Sequence, residues 1–228
     1  MIHAINKILG FLGSGICHQK AIVTFEYNKV YMPVCSRCTG IYIGFVFSLL
    51  AIILFDRKIK SEIPSIKIFI LLIFTFLPMG ADVALTTFKI IEANNYVRFI
   101  TGFLVGWILT LVILPLKNSV MLKKAVVKSY LDNKIKFILW LFVGIIIISL
   151  FIFSYKQLFL FWSILSILGL IVFILYIISI LFFAISKKFS NSIFTLKRYF
   201  LYSIIGFILS IGMLTLLASV RRFLISFL

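Results

Sequence analysis

The side chains able to do the most chemistry are gathered near the start of the chain. Cys17, His18, Cys35 and Cys38 all lie within the first 38 of 228 residues, and those three cysteines are the full complement. Three thiols and one imidazole make a sufficient tetrahedral zinc set, and Cys-x-x-Cys is the usual spacing for half of such a site. The rival chemistry is redox. A Cys-x-x-Cys at a helix N-terminus favours a thiolate, here with Arg37 between the two cysteines, and Cys17 would serve as a third thiol for exchange. The bland alternatives are small apolar filler or one structural disulfide. An odd number of cysteines leaves one thiol free, metal-bound or paired with another chain.

Asp82 is the second unusual residue. It stands alone as an acid within the apolar run "FLPMGADVALTTF", where a carboxylate costs about 2.5–3.5 kcal/mol unless paired or near the interface. Arg98 opens the following run and is the nearest partner by topology. The two read either as a buried clamp between helices or as a catalytic or substrate-binding pair. Arg37 and Gln19 fall on the same face, so Asp82, Arg98, Arg37 and Gln19 are the candidate catalytic residues, beside the metal candidates Cys17, His18, Cys35 and Cys38.

The elements that hold these residues follow from composition. The chain is 63% hydrophobic and 13% charged, against roughly 45–50% and 25% in soluble domains, so it is an all-α integral membrane protein. Apolar runs near 39–55, 68–88, 99–115, 137–154, 158–186 and 199–220 approach the ~20 residues needed to cross a bilayer, giving about six transmembrane helices. Residues 1–16 are too short and too rich in glycine for a span. With no small-residue cleavage site they are not a signal peptide either, and the pattern predicts an interfacial or re-entrant helix.

Between the cysteine segments, "AIVTFEYNKVYMPV" is rich in β-formers around Asn28-Lys29. A two-residue hairpin loop there pairs Tyr27 with Val30 and Phe25 with Met32, and by extension Gln19 with Cys38 and His18 with Thr39. That register delivers Cys17, His18, Cys35 and Cys38 to one small volume. Neighbouring side chains in extended backbone point apart, so Cys17 and His18 can share an ion only where the chain turns.

The formal charge of +17 would suggest nucleic acid in a soluble protein. Here Lys and Arg cluster at the ends of apolar runs, which reads as topology and headgroup anchoring instead. Their excess in the 56–67, 116–136 and 187–198 segments places those in the cytoplasm and the cysteine face outside, in a multi-pass protein of the cell membrane. The 116–136 segment reads as a basic amphipathic loop at the anionic leaflet.

"RCTGIYIG" and "RFITGFLVG" share an Arg, a Thr-Gly and a later Gly. Gly40, Gly44, Gly102 and Gly106 therefore form two small-xxx-small faces suited to close helix packing. The organisation expected is an N-terminal Cys/His segment (1–38), a three-helix membrane core (39–115), the basic loop (116–136), and a three-helix scaffold (137–228) that offers a surface for self-association as a homo-oligomer.

The motifs "CHQ" (17–19), "PVCSRCTGIYIG" (33–44), "PMGAD" (78–82) and "NNYVRFITGFLVG" (94–106) together resemble the predicted membrane proteins grouped as domain of unknown function 2085, over roughly residues 10–115. Where members commonly carry Asp-Gly followed by Gln, this chain has Asp82-Val83 and Thr86. The resemblance strengthens the choice of site residues and implies no reaction. The reading that results is a membrane protein with a Cys/His zinc site at one face, acting as a hydrolase or transferase on a lipid or other interfacial anionic substrate. A membrane thiol–disulfide oxidoreductase and a transporter or structural protein are the alternatives.

Overall fold

The computed structural model describes residues 2–56, 58–62, 66–92, 94–122, 128–185 and 196–226. A short helix, α1 (Ile2–Ser14), precedes a 3-10 turn (Ala21–Val23) and a hairpin of β1 (Glu26–Tyr27) and β2 (Val30–Tyr31). Six long helices follow: α2 (Ser36–Phe55), α3 (Ile66–Thr87), α4 (Asn95–Met121), α5 (Lys134–Ser154), α6 (Phe159–Ile185) and α7 (Leu196–Ile225). Each is long and apolar enough to cross a membrane, so the fold is the all-α, six-span architecture expected from the sequence.

The hairpin forms in the expected register, Tyr27 opposite Val30 and Glu26 opposite Tyr31. Asn28 and Lys29 have φ of 50° and 60°, the conformation of a two-residue turn whose twist matches the strands. Met32 N donates to Phe25 O at 2.9 Å. The pairing stops there, which corrects its extension to Gln19–Cys38 and His18–Thr39: residues 21–23 coil into the 3-10 turn, and α2 begins at Ser36. Phe25 anchors the hairpin, its ring 5.5 Å from Tyr96 on α4 and 5.3 Å from Phe151 on α5.

α2 and α4 form the centre. A Cβ on Gly106 would lie 2.9 Å from Ile41 Cα and collide with its carbonyl, and one on Gly102 would collide with the carbonyl of Arg37. Reciprocally, Gly40 meets the Phe99 carbonyl and Gly44 the Phe103 carbonyl. The two segments that share a sequence pattern thus pack on each other through equivalent positions, at a separation only glycine permits. Ser48 Oγ donates to Trp107 O at 2.7 Å and accepts from Trp140 Nε1 at 3.1 Å, tying α2, α4 and α5.

α6 packs against α2 and α4, and α7 against α6 and α1. α3 packs on α4 and leaves most of its apolar surface open. At the end of the bundle away from the cysteines, Asp56 caps α2. It accepts from Lys136 Nζ at 2.6 Å, Lys60 Nζ at 3.1 Å and the Leu131 amide at 2.8 Å. This revises the 116–136 segment. Residues 116–121 are the last turns of α4, and 129–132 close over Asp56 as part of a buried polar knot. Residues 123–127 of that loop, and 187–195 of the other basic segment, lie outside the described residues.

Candidate metal centre and polar cleft

Cys17 lies just past α1, Cys35 is the N-cap of α2, and Cys38 sits in its first turn. The close approach of α1 to the loop before α2 brings them together. Gly13 rests on the Pro33 carbonyl, with 2.9 Å from its would-be Cβ to Val34 Cγ1. The Gln19 amide nitrogen bridges the carbonyls of Gly10 and Pro33 at 2.7 and 2.6 Å. As a result the three Sγ atoms all lie within 4.8 Å of one another.

All three cysteines are thiols, Cys17 and Cys35 buried and Cys38 half-buried. The Cys35 amide donates to Cys17 Sγ at 3.1 Å. Hydrogen bonds from the Cys35 and Cys38 side chains, together with that amide, hold the Cys17 thiol far below its ordinary 9.0 although burial opposes them. The neighbouring Cys17 correspondingly pushes Cys35 up. Three converging sulfurs, which bind metals as thiolates, have the donor character of a soft cation site. Ligands at 2.3 Å from a tetrahedral zinc are about 3.8 Å apart, so the three sulfurs fit that ion with small adjustment.

His18 lies at the edge of the cluster, its Nδ1 in hydrogen-bonding contact with Cys17 Sγ. It is exposed, with Nδ1 3.8 Å from Cys17 Sγ, and it falls outside the three-sulfur cluster.

Arg221 near the end of α7 completes the support. Its guanidinium donates to the carbonyls of Ser14 at 2.8 Å, Cys17, and His18 at 3.0 Å. No sequence signal links Arg221 to Cys17; by pattern it is one of the cations at the ends of apolar runs.

Asp82 lies beside this centre, 6% exposed. Arg37 pairs with its Oδ2, and Arg98 Nε approaches the same oxygen at 3.3 Å. Arg98 Nη2 also donates to Thr86 Oγ1 at 2.8 Å, and that hydroxyl donates to the Asp82 carbonyl at 2.6 Å. The expected Asp82–Arg98 pair is thus present, with Arg37 as a third member and Thr86 as its polar neighbour. Arg37 and Arg98 form the inner wall of an open cleft of about 930 Å³, with His18, Lys20, Thr86, Lys89 and Glu92 around it. Gln19 does not line this cleft, because its amide is engaged with α1 and the loop before α2.

These elements define a polytopic helical membrane protein with a thiol cluster at one end of its bundle. The chain belongs to the family of predicted membrane proteins, domain of unknown function 2085, which matches residues 17–112. An uncharacterized protein of Methanothermobacter thermautotrophicus is 35% identical over 107 residues, covering 46% of this chain and 91% of the relative. Uncharacterized protein MJ1492 of Methanocaldococcus jannaschii is 33% identical over 109 residues, covering 48% of this chain and 68% of the relative. No solved structure matches. The family match ends inside α4, leaving α5, α6 and α7 beyond it.

Proposed function

We propose that this multi-pass membrane protein binds zinc through Cys17, Cys35 and Cys38, and that the centre serves a membrane-embedded hydrolase or transferase acting at the interface. The observation that carries the reading is the convergence of three thiol sulfurs within 4.8 Å, with one of them accepting a backbone amide. Bound there, zinc would supply Lewis acidity and a fourth position for water, the arrangement of a catalytic rather than a closed structural site.

The chain's own residues supply the rest. The Cys35 amide orients the Cys17 sulfur, Arg221 fixes the backbone that carries it, and Arg37 lies between Cys35 and Cys38 at the start of α2. Arg98 and Arg37, held by Asp82, present guanidinium groups to the cleft for an anionic substrate. His18, on the rim between cleft and cluster, is the group in reach to move a proton.

Elemental mass spectrometry of protein purified without chelators, with thiols counted after denaturation, tests this. About one zinc per chain is expected, lost on Cys35→Ser or Cys38→Ser. A metal-free chain with one disulfide and one free thiol would overturn it. That result would favour thiol–disulfide exchange, which the same three-sulfur geometry at a helix start also supports.

A further inference from the structure

We infer that the cleft in front of Arg37 and Arg98 binds the phosphate headgroup of a single-chain or double-chain amphiphile. This names the substrate class of the site proposed above and rests on that reading for the headgroup's role as substrate; occupancy of the cleft does not require the metal.

Charge comes first. Lys20, Arg37, Lys89 and Arg98 line the cleft against Glu92, with Asp82 behind the two arginines. Four cations against two carboxylates leave two positive charges, which matches a phosphate monoester of about −1.5 to −2. Shape agrees. Asp82 uses a single oxygen to hold both guanidiniums, and Arg37 Nε is buried with no hydrogen-bond partner. Planar forks with spare N–H groups suit a group with three acceptor oxygens.

The outer wall is apolar. Ile22 is 77% exposed, Ile90 67% and Ile91 46%, and these isoleucines line the same cleft as the arginines. Ile90 and Ile91 stand where α3 leaves its apolar run, the level at which a lipid's chain meets its headgroup, and Ile22 joins them from the 3-10 turn. A free phosphate ion would have no use for that wall. The chain of an amphiphile would cover it, each buried methylene raising affinity about fourfold.

Native mass spectrometry of the full chain in a non-ionic detergent reads zinc and ligand mass on the same molecule. Dodecyl phosphate, inorganic phosphate and dodecanol are the probes. The expected result is one dodecyl phosphate per chain, with neither inorganic phosphate nor dodecanol retained at the same concentration. Lys20→Gln with Lys89→Gln, two exposed cations outside the Asp82 clamp, should weaken binding about tenfold. Equal retention of inorganic phosphate would identify a free-anion site, and equal retention of dodecanol a merely apolar groove; either overturns the proposal, as would an unchanged double variant. A zinc-free chain that still binds dodecyl phosphate would sink the metal reading and leave this one standing. A zinc-bearing chain that binds none would do the reverse.

Discussion

Arg37 and Arg98 converge on the same oxygen, Oδ2 of Asp82. They stand in the first turns of α2 and α4, the two helices that pack through equivalent glycines. Asp82 is thereby the third point of a frame: α3, whose main packing partner among the described residues is α4, is fixed to both central helices by one carboxylate. Asp82→Asn should cost up to about 3–5 kcal/mol, because it leaves the buried Arg98 guanidinium and the half-buried Arg37 guanidinium without their counter-charge. Thermal unfolding in detergent measures this, and an unchanged midpoint would show that the carboxylate is dispensable to the fold.

The glycine faces make a sharper prediction about packing. Gly106→Ala should destabilise by about 1–3 kcal/mol, since its methyl group would meet the backbone of Ile41 and a main chain cannot step aside as a side chain can. Gly80→Ala in α3 is the matched control, with nothing within 4 Å of the added atom. It should be neutral or stabilising by up to about 1 kcal/mol. Equal effects of the two substitutions would argue against the α2–α4 contact.

Arg221 should matter to the cysteines more than its distance in sequence suggests. Arg221→Ala removes the donors to the Ser14, Cys17 and His18 carbonyls and should speed alkylation of Cys17 about tenfold, as a loss of one charge-assisted set of hydrogen bonds implies. Arg222→Ala, which removes only a guanidinium 4.4 Å from the Phe11 ring, should change it little. Equal rates in the wild type and Arg221→Ala would show that the turn stands without α7.

Acid should loosen the opposite end of the bundle. Burial pushes the Asp56 carboxyl up, but Lys136, the Leu131 amide and Lys60 outweigh it and hold it below its ordinary 3.8. A depressed folded value means that the stabilisation is complete above the unfolded value and disappears as pH falls through the folded one. Asp56→Asn should therefore unfold more easily than the wild type at neutral pH, with the gap closing below 3.8. Chemical denaturation at the two pH values gives the comparison, and a gap that persists in acid would contradict the ion cluster.

The parts of this architecture that were legible in the sequence are those set by local pattern. Six apolar runs became six helices, Asn28-Lys29 became the hairpin turn, and Gly40, Gly44, Gly102 and Gly106 became the helix contact. The cysteine triangle was legible too, because the hairpin shortens the path from Cys17 to Cys35. Extending the hairpin ladder to His18 failed, since α2 starts at Ser36 and ends the extended register before it reaches that residue. The placement of Gln19 away from the cleft was not legible, because its partners, the carbonyls of Gly10 and Pro33, are backbone atoms with no signature in residue type. Asp56 escaped notice by lying one residue beyond an apolar run rather than within it. Arg221 could not have been found at all, as only the folded chain brings it to Cys17.

The contact between Arg221 and the Cys17 turn also bears on the order in which the protein is built. The cysteines are synthesised before the guanidinium that pins their turn, which follows Cys17 by 204 residues. Until α7 docks, the Cys17 corner of the thiol triangle lacks those three hydrogen bonds. Docking of α7 is what adds this fastening, so the turn that carries Cys17 is held from both ends of the stretch between α1 and α7.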